Sequence, residues 1–199
     1  MKATLLSITV IVILFVVFQS FALMTDRKTK EQEYTLIMKD KDFEIRFYPA
    51  AIMATVHSKA TTYKELANPG FRKLAGYIFG GNENEIHIPM TAPVHMDVND
   101  SLSSMSFVMP SDYNESNLPK PNNPAIIIKK TSDEYVAVLR FGGFASDKRL
   151  KFYSDKLHHL LEEKGITTNG HYRFLGYNPP FRLFGRRNEI IVSVIWNGK

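Results

Sequence analysis

Hydrophobic and polar residues alternate in three distinct rhythms along the chain. From Ala3 to Met24 there is no charge at all, and Leu5 to Phe18 is almost wholly Leu, Ile, Val and Phe. At 1.5 Å per residue that stretch would be about 33 Å long, enough for a hydrocarbon core of about 30 Å. Residues 1–24 therefore predict an N-terminal hydrophobic helix that anchors the chain in a membrane. Ser20-Phe21-Ala22 has the small-x-small pattern of a cleavage site, so a removed signal peptide is the competing reading. Lys2 precedes the run while Arg27, Lys28 and Lys30 follow it, and basic residues on both sides assign no orientation. Either way the globular part is expected beyond a membrane, anchored or exported, in a periplasmic or other extracytoplasmic space. Residues 25–33, TDRKTKEQE, are polar and read as a tether.

From Tyr34 the apolar runs shorten to strand length. Residues 34–38 and 43–48 flank the turn-prone Lys39 to Asp42 and predict a hairpin ended by Pro49, with 51–57 as a third strand. Thr62-Tyr63-Lys64-Glu65 has capping-box spacing and starts a helix. Asn68-Pro69-Gly70 predicts a kink or restart there, after which Phe71, Leu74, Ala75 and Ile78 form an apolar face, and Gly80-Gly81 stop the helix. Strand-like 86–96 and 105–109 follow, then a Pro- and Asn-rich loop over 112–124. Residues 125–130 and 135–141 predict a second hairpin, broken by Gly142-Gly143. A helix over 147–164 has the stripe Leu150, Tyr153, Leu157 and Leu160 or Leu161, with Gly165 just past its end. Strands at 172–177 and 188–196 complete the pattern.

The order strand, helix, strand, strand occurs twice. Each half has more apolar sheet face than one helix covers, so the expected fold is α+β: a duplicated antiparallel β-barrel over 34–197, closed by joining both sheets, with two flanking helices. A ligand would fit between a helix and the barrel wall.

Composition narrows the function. The chain has 199 residues, enough for one substantial core. Its net charge of +5 is spread among 20 acids and leaves no nucleic-acid footprint. With no cysteine, disulfides, thiolate ligands and a Cys nucleophile are excluded. Gly-x-Ser-x-Gly, His-Glu-x-x-His and phosphate-loop motifs are absent. His57, His87, His95, His158, His159 and His171 show no metal-site spacing, and Met90, Met96, Met105 and Met109 read as adaptable core. Arg186, Arg187 and Glu189 suggest an ion pair. Glu189 with Tyr177 is the one conceivable acid–base pair for a hydrolase acting on a hydrophobic substrate.

Six motifs in order bring a family into view. Glu44-Ile45-Arg46-Phe47-Tyr48, Gly70 to Leu74, Ile88 to Val94, Phe107 to Ser111, Phe141 to Phe144, and Gly176 to Pro180 with Arg186 to Glu189 closely resemble the SOUL heme-binding family over about 34–196. The resemblance implies a fold similar to the gyrase-inhibitor-like ligand-binding modules, and non-catalytic binding of heme or a related tetrapyrrole in a shallow apolar pocket. On this chain it implicates Phe71, Arg72, Leu74, Ala75 and Ile78 on the first helix, and Tyr177, Phe181 and Arg182 before the last strand. A porphyrin needs apolar walls for its plate and cations for its propionates, and Arg182 is the first choice for that contact, with Arg72 and Lys73 behind it. Some family members have a His proposed as iron ligand where this chain has Phe47, so any iron would be weakly or non-axially ligated here. A generic module for small hydrophobic molecules, with no physiological heme, is the alternative.

Overall fold

The computed structural model describes residues 7–11, 13, 14 and 29–198. Residues 7–11, 13 and 14 are helical. Among the described residues no helix is long and apolar enough to cross a membrane. The expected anchor or signal over 1–24 falls mostly outside the described residues, as does its cleavage motif.

The strands are β1 (Lys30–Glu31), β2 (Thr35–Lys39), β3 (Glu44–Tyr48) and β4 (Ile52–Ser58), followed by helix α1 (Tyr63–Ile78). Then come β5 (Thr91–Ala92), β6 (Val94–Asp97), β7 (Ser103–Val108), β8 (Ile126–Lys130) and β9 (Glu134–Phe141). Helix α2 (Asp147–Glu163), β10 (Thr168–Gly176) and β11 (Asn188–Val194) complete the chain. Nine strands form one antiparallel sheet in the order β2-β3-β9-β11-β10-β6-β7-β4-β8. With β2 set aside, the order reads the same from both ends about the β10/β6 junction, so the expected duplication is visible in the pairing.

Two expectations are corrected. The barrel is not closed: the sheet ends at β2 and β8, which pair with no further strand among the described residues. And 126–130 and 134–141 are not a hairpin. β8 pairs with β4 of the first half, while β3 pairs with β9 of the second. The halves thus exchange their opening strands. The links that cross over, 49–51 and 131–133, lie against each other, with Ala51 N–H donating to Thr131 Oγ1 at 3.0 Å and Thr131 N–H to the Ala51 carbonyl at 2.8 Å. β3 and β4 are six positions apart in the sheet. On a flat sheet that is about 29 Å, yet the link from Tyr48 to Ile52 reaches at most about 14 Å. The sheet must therefore curl strongly while its edges stay unpaired.

Both helices lie on one face. Thr62 caps α1, accepting from Glu65 N–H at 3.2 Å, and the Glu65 carboxylate accepts from Thr61 N–H at 3.1 Å. The helix runs unbroken through Pro69, against the expected kink or restart. A mid-helix proline costs about 3 kcal/mol, but burial of Leu66, Leu74, Tyr77 and Ile78 at about 1.5–3 kcal/mol each outweighs it. Gly70 lets α1 approach β7, since a Cβ there would sit 3.2 Å from Met105 Sδ. In α2, Leu157 and Leu161 carry the buried stripe, and Gly165 follows with positive φ as expected.

The polar stretch 25–33 enters the fold earlier than its composition predicts. β1 pairs in parallel with β5, Gln32 N–H donates to the Ala92 carbonyl at 2.7 Å, and Gln32 Oε1 meets His95 Nε2 at 2.8 Å. Residues 25–28 lie outside the described residues.

Candidate functional site

The connection from β10 to β11 and the first helix flank the same end of the sheet. Gly176 pairs with Val94, Val94 pairs with Phe107, and the Phe107 ring meets Phe71 of α1 edge-on at 5.4 Å. The start of the loop is therefore about two strand spacings, about 10 Å, from the helix-facing phenylalanine.

Arg186 organises this loop from within. Its guanidinium donates to the carbonyls of Pro179 and Arg182, each at 2.8 Å, and of Asn178 at 3.4 Å. It also stacks over the Phe144 ring at 4.7 Å. Its Nε is buried without a partner, and among the described residues no carboxylate pairs with it. Burial pulls its pKa below the usual arginine value, and the neighbouring charge of Arg182 acts the same way, partly offset by Tyr63. Around this uncompensated cation stand exposed apolar side chains: Phe144, Phe181, Leu183 and, most exposed at 70%, Phe184.

The opposite face of the sheet holds a buried ion network. Glu189 is fully buried and accepts from Arg46 at 2.9 and 3.3 Å, from Arg187 Nε at 3.0 Å and from the Tyr177 hydroxyl at 2.8 Å. Arg46 also donates to Glu44 at 2.6 and 2.8 Å. Tyr34 and Tyr177 lie under the guanidinium groups of Arg46 and Arg187, at 4.2 and 3.8 Å. Burial alone would disfavour a charged Arg46, but Glu189 beside it raises its pKa further, and the same balance holds for Arg187. Burial and then the Glu189 charge push the Tyr177 hydroxyl well above its ordinary value.

The expected site residues divide accordingly. Leu74 and Ile78 are sealed in the core, Phe71 is half-buried against it, and Ala75 is half-buried. Arg72 is exposed on α1, Phe181 is exposed on the loop, and Arg182 donates through Nε to the Phe184 carbonyl at 2.9 Å. Tyr177 belongs to the ion network on the other face. The helix group therefore packs on the core, with Arg72 at the surface, while Phe181 and Arg182 lie on the loop. Of the expected ion pairs, Arg187 with Glu189 forms at 2.9 Å, but among the described residues Arg186 is not in one. Sequence reasoning took Arg186 for an ion-pair partner and did not single out Phe184. Their signal was the alternation of aromatic, aliphatic and basic residues in Phe181-Arg182-Leu183-Phe184-Gly185-Arg186.

A cleft opens between a helix and the sheet, under α2. Its volume is about 330 Å³, and Met96, Leu150, Tyr172, Phe174 and Ile190 are among its walls. A second cleft of about 220 Å³, beside the loop, is lined in part by Thr29, Arg182, Gly185 and Arg187.

Comparison with known proteins places these features. The family model described as SOUL heme-binding protein matches residues 29–193. Heme-binding protein 2 of Mus musculus is 31% identical over 156 residues, covering 74% of this chain and 76% of its own. Heme-binding protein 1 of Sus scrofa is 28% identical, covering 76% of this chain and 84% of its own. Among solved structures, the EcmrR C-terminal domain superposes with a TM-score of 0.56 at 13% identity, over 81% of this chain and 98% of that one. A hydrolase from Listeria innocua superposes with a TM-score of 0.55 at 9% identity, over 79% and 94%. At these identities the two structures share the fold alone.

Proposed function

As the chain belongs to the SOUL heme-binding protein family, we propose that it binds heme or a related tetrapyrrole, as a carrier, buffer or sensor, on the exposed surface between Phe71 and the 178–187 loop. The observation that carries this reading is the partly buried Arg186 guanidinium, bonded to loop carbonyls but with no carboxylate partner among the described residues, beside exposed phenylalanines. A flat apolar plate with carboxylates at its rim matches both properties: the plate covers Phe181, and the rim charges meet Arg182 and Arg186, with Arg72 on the helix side. The residues suit the macrocycle and its propionates. They include no His or Cys, and the Tyr177 hydroxyl is committed to Glu189, so iron would be held without a strong axial ligand from this site.

A non-catalytic role agrees with the network face. Glu189, the conceivable acid, is fully buried and already accepts from two arginines and a tyrosine. The apolar run before residue 25 further supports placing the domain beside a membrane, anchored by residues 3–24 or exported once they are removed.

Titrating the full chain in detergent with hemin, followed by the Soret band, tests the ligand. Saturable one-site binding weakened about tenfold by Arg182→Glu is expected, the size of a lost charge-assisted hydrogen bond. A linear, unsaturable response overturns the reading. The cleft under α2 favours a second occupant class: a small molecule with an apolar body, since its volume lies at the low end for ligand cavities. Leu150→Trp would fill that cleft, and would abolish such binding while sparing hemin.

A further inference from the structure

The loop that carries the exposed phenylalanines is also where the N-terminal segment joins the domain. Thr29 lines the same cleft as Arg182, Gly185 and Arg187. Two residues later, Glu31 accepts from Arg187 at 2.8 Å. β1 is then locked to β5, so this end of the chain cannot swing away from the loop without breaking the pairing at Lys30 and Thr91. Between Met24, the last residue of the apolar run, and Thr29 there are five peptide steps. Fully extended they span about 17 Å.

We propose that the 178–187 loop docks into the interfacial layer of the membrane that holds residues 3–24, with Leu183 and Phe184 as the inserted side chains. The inference rests on the anchor reading of that segment. Three observations converge on a lipid surface as the occupant. The tether is too short to hold the loop far from the bilayer. Leu183 and Phe184 are 40% and 70% exposed, and contact with acyl chains removes that area from water. Arg182 is next to them in the loop, and the sequence adds Arg27, Lys28 and Lys30 just after the apolar run; such side chains have long stems that bury while their charges stay among headgroups, most favourably anionic ones. An aromatic and basic rim beside a membrane-entering segment has the composition of an interfacial anchor. For a ligand that partitions into lipid, the site would then open directly onto its reservoir.

The absence of cysteine makes the test direct. The full chain is reconstituted into phosphatidylcholine vesicles containing a minor fraction of phosphatidylglycerol, carrying a nitroxide at one of three single cysteines: Phe184→Cys, Ile11→Cys, or Ser132→Cys on the exposed link between β8 and β9. Collision with oxygen, which concentrates in lipid, is compared with collision with a water-soluble nickel chelate. Position 184 is expected to be shielded severalfold from the chelate relative to position 132, and position 11 to behave as hydrocarbon. If position 11 is in lipid and position 184 collides with the chelate as freely as 132, the docking is wrong. If position 11 is in water, the anchor fails and the docking with it. The hemin titration is read separately from either result.

Discussion

Arg46 and Glu189 meet at 2.9 Å across two strands, one 4% and the other 0% exposed. Replacing only one of them leaves the other with a single opposite charge, Glu44 for Arg46 or Arg187 for Glu189. Glu189→Gln or Arg46→Met is therefore expected to cost about 3–5 kcal/mol in urea unfolding. Because Arg187 also leans on Glu189, Glu189→Gln should be the worse of the two. Equal, sub-kilocalorie effects for both would mean that water reaches the pair.

His95 links stability to acid. Burial, and then the charge of Arg173, hold its pKa down to about 3 from 6.5, so the folded ring stays neutral and contacts Gln32 at 2.8 Å. Between those values the unfolded chain binds a proton that the folded chain refuses. Stability is then fully present above about pH 6.5 and falls as pH drops, by up to about 1.4 kcal/mol per unit. Urea midpoints from neutral pH to about pH 4 should show a shallower acid loss in His95→Gln than in the parent. Parallel profiles would remove His95 from the account.

Core and ligand surface should separate under mutation. Leu74→Ala empties a fully buried position and is expected to lower stability by about 2–5 kcal/mol while leaving hemin affinity nearly unchanged in the folded fraction. Phe181→Ala, at a 45% exposed position, should do the reverse. If Leu74→Ala weakened hemin more than Phe181→Ala, the ligand would have to enter under α1.

Gly81 is fixed by crowding rather than by its backbone angle. A Cβ there would lie 2.5 Å from the Gly76 carbonyl oxygen, which already accepts from Gly81 N–H at 2.8 Å. Gly81→Ala must push the end of α1 aside and should cost about 1–3 kcal/mol, whereas Gly76→Ala meets open space and should be neutral or slightly stabilising. Thermal melts of the two variants make the comparison.

Periodicity located both helices and nearly every strand, because alternation and capping are local properties. It did not assign partners. The three-residue link 131–133 looks like a hairpin turn, yet its Thr131 bonds Ala51 of the other half; the choice of pairing is made by the whole sheet. Pro69 looked like a boundary because its cost is local, while the burial that overrides it comes from residues along the entire helix and from β4 and β7. Tether residues 29–33 read as solvent-facing from composition, although the bonds that fix them run through the backbone of Ala92 and the ring of His95. Of the proposed ligand surface, Phe181 and Arg182 follow from the family pattern, while the place of Arg186 depends on three carbonyls that only the folded loop gathers.

The traded opening strands have a consequence for biogenesis. β3 emerges early in synthesis, but the strand it must lie beside, β9, comes some ninety residues later. The leading half therefore leaves the ribosome with β4 lacking β8 and β3 lacking β9, presenting two raw ribbon edges until residue 141 is clear. Pairings this distant in sequence form slowly. Cutting the chain in the 112–124 loop should accordingly yield not two miniature domains but two sticky fragments that become soluble only when mixed.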